Sequence, residues 1–363
     1  MSEQHAERRR RAWELVTQHV PDAAGLLVTS LPNVRYLTGF SGSNGILLLT
    51  DQTALLGTDG RYVLQASEES PGLPLLVDRA TLTAVARHWR DSVGGPLAVE
   101  TAHITVSQWR ALEEALGDST AVLRETTDLV ESLRQVKDAE EVAHLVTACR
   151  ISEEALARTV AGVREGDTEK QIARRLDATM LELGADRVSF DTIVAVGPNT
   201  AIPHHQPTDR PLIRGDFLLI DFGAEYSGYH ADETRTFVLG EPAEWQREIH
   251  SLVESAQAAG RVAATAGTAL ADVDAAARQI IEEAGHGPNF DHGLGHGVGL
   301  EIHEAPFFSA RATGMLLAGS PVTIEPGVYL AGRGGVRIED TVIVTEGECS
   351  PLTTANRGLV VLG

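Results

Sequence analysis

The chain has 363 residues, 43% hydrophobic and 22% charged, with 51 acidic against 30 basic side chains and a formal net charge of -21. That length predicts two domains with sizeable cores, and so acidic a surface repels phosphate, so nucleic acid and anionic membranes are not expected partners. The basic N-terminal residues lack the apolar run of a signal peptide, no segment reaches the length of a membrane span, and Cys149 and Cys349 read as buried free thiols, so a cytoplasmic location is expected.

Residues 24–80 read as short strands broken by turns: GLLVT, GILLLT, ALLGTD and LPLLVD, the middle two meeting at Asp51-Gln52. Helical patterns follow at 81–92 and 107–116, and the alternation predicts a small α/β domain with a mixed sheet. Ser41-Gly42-Ser43-Asn44-Gly45 has neither the lysine of a phosphate-binding loop nor dinucleotide spacing and reads as a plain turn. From Thr127 to Val160 the pattern turns helical, with Asp138 the N-cap of a long amphipathic helix. A boundary at Leu129–Gln135 leaves an N-terminal α/β domain at 1–130 and a second domain at 135–363.

The second domain repeats itself. A helix with apolar positions Ile172, Leu176 and Met180 lies between Gly166 and Gly184, and another with Val273, Ala277 and Ile281 between Gly267 and Gly285, both glycine pairs 18 residues apart. Leu219-Ile220-Asp221-Phe222-Gly223 matches Thr323-Ile324-Glu325-Pro326-Gly327, and each leads to a second acidic strand, Ala231-Asp232-Glu233-Thr234 and Ile338-Glu339-Asp340-Thr341. Two related α+β halves are predicted, each contributing one carboxylate hairpin.

An acid inside an apolar strand must pair or meet a cation, because burying it alone costs several kcal/mol. For a single acid, a strand end or an ion pair with Arg235, Arg333 or Arg337 is explanation enough. Four acids in a duplicated arrangement point instead to divalent cations held between the halves. Eight of the 13 histidines fall between His204 and His303, three of them in HGLGHGVGLEIH, where alternate glycines oppose a helix and let the backbone approach a ligand. His296 would add one nitrogen to the four carboxylates, a donor set suited to Mn, Co or Zn in catalysis and unlike a sulfur-rich structural zinc site. Two such metals would bridge a hydroxide and polarise a carbonyl, so no Ser or Cys nucleophile is needed, and no G-x-S-x-G elbow occurs.

The segments IDFGAEYSGYHADETRTF, HGLGHGVGLEIHEAP, TIEPGVYL and RIEDT, with NVRYLTGFSGSNG and RQVKDAEEV upstream, resemble the pita-bread metallopeptidases, specifically the Xaa-Pro peptidases aminopeptidase P and prolidase. The resemblance runs nearly end to end. It implies an α+β pita-bread domain with internal pseudo-two-fold repeat, behind a creatinase-type N-terminal domain serving substrate access and dimerisation. It implies two divalent metal ions, with manganese ahead of cobalt or zinc. Asp221 would chelate one metal, Asp232 and Glu339 would bridge both, and His296 and Glu325 would hold the second. His204, His292 and His303 would contact the substrate or the oxyanion, and Arg337 and Tyr329 would orient the carboxylates. His205 and His230 are read as bystanders. Peptides with proline at the second position are the expected substrates, and a homodimer the expected assembly.

Many prolidases place an arginine directly after the segment matching His303-Glu304-Ala305-Pro306, where it binds a dipeptide's carboxylate. Here Phe307-Phe308 follows, which favours aminopeptidase P over prolidase unless an arginine such as Arg35 or Arg61 substitutes. Creatinase and the non-catalytic binding modules of this fold lack the metal ligands that this chain retains, and methionine aminopeptidase normally lacks the N-terminal domain.

Overall fold

The computed structural model describes residues 3–117 and 122–363, and the chain divides into two compact units, one ending at Arg134 and one starting at Gln135. In the first, a six-stranded mixed sheet runs in the order Leu75–Val77, Ala54–Thr58, Ile46–Leu49, Gly25–Val28, Leu97–Glu100, Leu123–Thr126. Gly25–Val28 and Ile46–Leu49 are buried at every position, which is why they read as unbroken apolar runs and not as alternating ones. Helices Thr81–Ser92 and Val106–Leu116 form where the sequence predicts them, the second started by a reciprocal cap between Thr105 and Gln108.

The strand reading of 24–80 is corrected at two places, because Leu31–Thr38 and Val63–Glu69 are helices. At 8 and 7 residues they are too short for a helical period to stand out. Leu31–Thr38 has a proline in its first turn and stops at Gly39, whose φ of 84° is the left-handed conformation that ends helices. Its last carbonyls receive Arg8 and Arg9 from a further helix, Glu3–His19, with bonds of 3.1 and 2.6 Å to Tyr36 O and Leu37 O.

The second unit opens with helix Ala139–Gly162, whose N-cap Asp138 accepts from Glu140 N and Glu141 N. Two like halves follow. The first joins helix Glu169–Glu182 to a sheet ordered Val360–Leu362, Glu233–Leu239, Phe217–Phe222, Ile193–Val196. The second joins helices Glu244–Ala263 and Leu270–Glu283 to a sheet ordered Glu304–Phe308, Gly295–Gly297, Pro321–Ile324, Asp340–Ile343, Ser350–Pro351. Ile172, Leu176, Met180 and their counterparts Val273, Ala277, Ile281 are fully buried. Even the bonds tethering the repeated helices correspond: Gly166 N to Leu212 O at 2.8 Å, and Gly267 N to Leu316 O at 2.9 Å. The halves meet through their acidic strands, where Glu339 N donates to Thr234 O (3.1 Å) and Thr341 Oγ1 to Asp232 O (2.8 Å). Cys149 and Cys349 are both free and buried, and among the described residues no helix is long and apolar enough to cross a membrane.

Candidate metal centre

Asp221 lies one residue from the end of strand Phe217–Phe222, opposite Thr234 on the neighbouring strand, and Asp232 stands immediately before that neighbour begins. The second half copies the pattern, with Glu325 directly after Pro321–Ile324 and Glu339 directly before its partner Asp340–Ile343. Each half therefore offers one acid where a strand ends and one where its partner starts. His296 is the middle residue of Gly295–Gly297, packed so closely that a Cβ on either flanking glycine would run into a backbone carbonyl, of Thr323 or Ala305. The alternate glycines of this segment let the imidazole reach the acids.

The His296 ring is oriented by a 3.0 Å bond from Nδ1 to Gly297 O, which turns Nε2 toward Asp232 Oδ2 at 3.5 Å and Glu325 Oε1 at 3.4 Å. Ligand atoms of Asp232, His296 and Glu339 all lie within 4.8 Å of one another. Burial, then the charges of Asp221 and Glu325, push the Asp232 carboxyl far above its ordinary range, and burial, then Asp232, Glu325 and Asp221, do the same to Glu339. Burial lifts Glu325 to about 8 and depresses His296 to about 4, so its imidazole is neutral, the form that ligates metals. Asp221 Oδ1 is buried and, among the described residues, has no hydrogen-bond partner. A crowd of acids short of cations, an orphaned carboxylate oxygen and a neutral imidazole together fit divalent metal ions.

Around this group runs a chain of polar contacts. Arg337 Nη2 donates to Asp221 Oδ2 (2.6 Å), Nη1 to Tyr329 Oη (2.9 Å), and Tyr329 Oη meets His292 Nε2 at 3.0 Å. Arg337 also reaches Thr234 Oγ1 (3.1 Å), which itself donates to Glu339 Oε2 (2.6 Å), so one buried guanidinium spans both hairpins. His204, His292 and His303 line the same cavity of about 710 Å³ as the four acids, His296 and Arg337. The His303 ring stacks edge-on against His296 with centroids 4.3 Å apart, and burial, then proximity to His204, lowers its pKa. All nine predicted site residues thus come together at one cavity.

Three residues emerge that the sequence did not single out. Thr234, in the middle of the first hairpin, links Arg337 to Glu339. Glu169, fully buried at the start of its helix, accepts a 2.8 Å bond from His205. Arg311 lines a cleft that shares Asp291, His292, Gly293 and Ser309 with the main cavity; it is exposed, and among the described residues its guanidinium makes no ion pair. A buried acid in a first helical turn leaves no periodic signal, and an arginine's lack of partners is invisible in sequence. His230 faces Ser189 Oγ at 2.9 Å and Glu225 at 3.9 Å and does not line the cavity.

Residues 143–346 match the model of metallopeptidase family M24, and residues 8–136 match that of the creatinase/prolidase N-terminal domain. An Xaa-Pro dipeptidase of Pyrococcus furiosus is 43% identical over 233 residues, 64% of this chain and 67% of that one. The solved structure of an Xaa-Pro dipeptidase from Bacillus anthracis is similar over 99% of this chain and all of its own, with a TM-score of 0.94 and 36% identity. That of an X-Pro aminopeptidase from Thermotoga maritima covers 95% of this chain and 99% of its own, at a TM-score of 0.88 and 37% identity.

Proposed function

The chain belongs to metallopeptidase family M24, with a pita-bread domain behind a creatinase-type N-terminal domain, and on that premise we propose that it is an Xaa-Pro dipeptidase using two divalent cations. Asp221, Asp232, His296, Glu325 and Glu339 would hold the metals, with manganese the expected ion. When bound, such ions activate water and polarise the scissile carbonyl. The chain's own groups do the rest. Arg337 holds Asp221 aimed inward through its hydrogen bond, while the Gly297 carbonyl keeps the His296 lone pair toward the acids. His204 and His303, both facing the cavity, donate hydrogen bonds to the carbonyl oxygen as it becomes negative, and one of them carries a proton to the departing proline nitrogen.

The observation that carries the dipeptide reading is Arg311. Phe307 occupies the position where many prolidases have their carboxylate-binding arginine, and this absence favours longer peptides. Arg311, which makes no ion pair among the described residues and lines the cleft contiguous with the cavity, offers an alternative cation for that carboxylate. The dipeptidase names of the Pyrococcus and Bacillus proteins point the same way. The Thermotoga aminopeptidase and Phe307, 55% exposed at the cavity wall, support a second reading in which Xaa-Pro-Yaa peptides are cut.

One comparison separates them: initial rates on Xaa-Pro and Xaa-Pro-Yaa after reconstitution with manganese. Dipeptide preference is expected, and faster tripeptide cleavage would overturn it. Asp221→Asn and Glu325→Gln should each abolish activity and lower bound metal while the fold persists; full activity in either would sink the ligand assignment.

A further inference from the structure

His204 stands at the cavity wall with a ring that, among the described residues, no hydrogen bond orients, yet both of its neighbours are pinned. On one side, Pro203 O accepts from Arg337 Nη1 at 3.3 Å. On the other, His205 is 7% exposed and its Nε2 donates to Glu169 Oε2 at 2.8 Å. Glu169 holds more than His205. Its Oε1 accepts Val196 N (2.9 Å) and Asn199 Nδ2 (2.9 Å), where the chain enters the 197–208 loop, and its Oε2 accepts His205, Thr208 N (2.8 Å) and Thr208 Oγ1 (2.6 Å), where it leaves. One carboxylate thus closes the loop that carries His204. Burial alone would raise the Glu169 pKa, but the donors from Thr208, His205 and Asn199 outweigh it and hold the group below its ordinary value. The bonded form is therefore the carboxylate.

We infer that His205 is a positioning residue, through which Glu169 fixes the placement of His204 over the scissile carbonyl. Its bond to Glu169 settles which way the backbone turns between two adjacent histidines, one directed inward and one toward the substrate. Without it, Pro203 and Thr208 would still anchor the loop, but the residue between them would be free to swing. A shift of about 1 Å at a group contacting the reacting atoms can lower the rate by about a hundredfold. The inference rests on the assignment of His204 to the carbonyl oxygen, and the experiment treats the two claims separately.

In the manganese-loaded enzyme, His205→Ala removes the bond while Thr208 still donates twice to Glu169, so the fold should persist; His205→Leu, which fills the space without donating, replaces it if the alanine variant unfolds. The expected result for an Xaa-Pro substrate is a fall in kcat of about tenfold to a hundredfold with KM changed less than about threefold, because contact with a developing oxyanion is made in the transition state. His205→Gln, whose amide can donate to Glu169, should recover most of kcat. The His204→Ala and His204→Ala/His205→Ala enzymes should be equally slow, since a positioning residue has nothing left to position. Wild-type kcat in His205→Ala, or a further loss in the double variant, would overturn the inference while leaving His204 in place. Wild-type kcat in His204→Ala would overturn the His204 assignment, and this inference with it.

Discussion

Replacing Asp232 by asparagine should stabilise the metal-free protein and remove its response to manganese. Asp232 and Glu339 offer ligand atoms within 4.8 Å of each other. If both were ionised in an effective dielectric of about 20, their repulsion would be about 3 kcal/mol or more. The metal-free protein avoids part of that by keeping protons on the cluster. An acid whose folded pKa is raised contributes its full stability below its unfolded value and loses it as pH rises through the folded value. For Glu325 that window runs from 4.5 to about 8, and Asp232 and Glu339 are shifted in the same direction. Urea unfolding with chelator present should therefore show wild-type stability falling from pH 5 to pH 8, and Asp232→Asn falling less, ahead by up to about 3 kcal/mol at pH 8. Manganese at about a thousand times its dissociation constant should return about 4 kcal/mol to the wild type and much less to the variant. A metal-free Asp232→Asn protein less stable than wild type at pH 8, with a wild type indifferent to manganese, would refute the claim that this cluster gathers cations.

Arg311→Ala should raise KM for Xaa-Pro about tenfold or more, the loss of one charge-assisted bond to a carboxylate, and change Xaa-Pro-Yaa cleavage by less than about threefold; steady-state kinetics on both substrates checks it, and equal effects would remove Arg311 from substrate recognition. Gly299→Ala would push a Cβ against the Glu304 carboxylate and to 2.8 Å from Lys137 Cε, prising apart a buried ion pair. A loss of about 3–5 kcal/mol in urea unfolding is expected, and wild-type stability would mean the pair tolerates separation. His250 is 2% exposed and its Nε2 has no hydrogen-bond partner among the described residues; burial lowers its pKa from 6.5 to about 4. A depressed folded pKa means stability present above 6.5 and lost as pH falls toward 4, by about 3 kcal/mol. His250→Leu should lose less stability than wild type between pH 7 and pH 4.5, and a difference between the two proteins that stays constant with pH would count against it.

The parts of the site that could be read from sequence are those whose chemistry conflicts with their surroundings. Asp221 interrupts an apolar strand, Glu325 follows one, and the duplication of that conflict is what makes it a signal, since a single buried acid has many ordinary explanations. His296 is marked the same way, by glycines that a strand would otherwise avoid and that turn out to clear room beside the carbonyls of Thr323 and Ala305. The helices Leu31–Thr38 and Val63–Glu69 carry no such conflict, because two turns of apolar and polar residues satisfy a strand pattern about as well. Glu169, His205, Thr234 and Arg311 escape for a different reason. Their importance lies in partners 36 to 105 positions away, as in His205 to Glu169 and Thr234 to Glu339, or, for Arg311, in making no ion pair among the described residues. Local pattern therefore reveals the acids and the imidazole proposed to hold metal, whereas Glu169, Thr234 and Arg311 become visible only when the chain is folded. The duplicated hairpins supply two acids each, and Thr234, which donates to Glu339 Oε2, has its counterpart in Thr341, which donates to Asp232 O, whereas Arg337 has none, because His230 stands at the matching position. The threonines of both acidic strands tie the two halves together, and the one unrepeated cation, Arg337, spans both hairpins through Asp221 and Thr234.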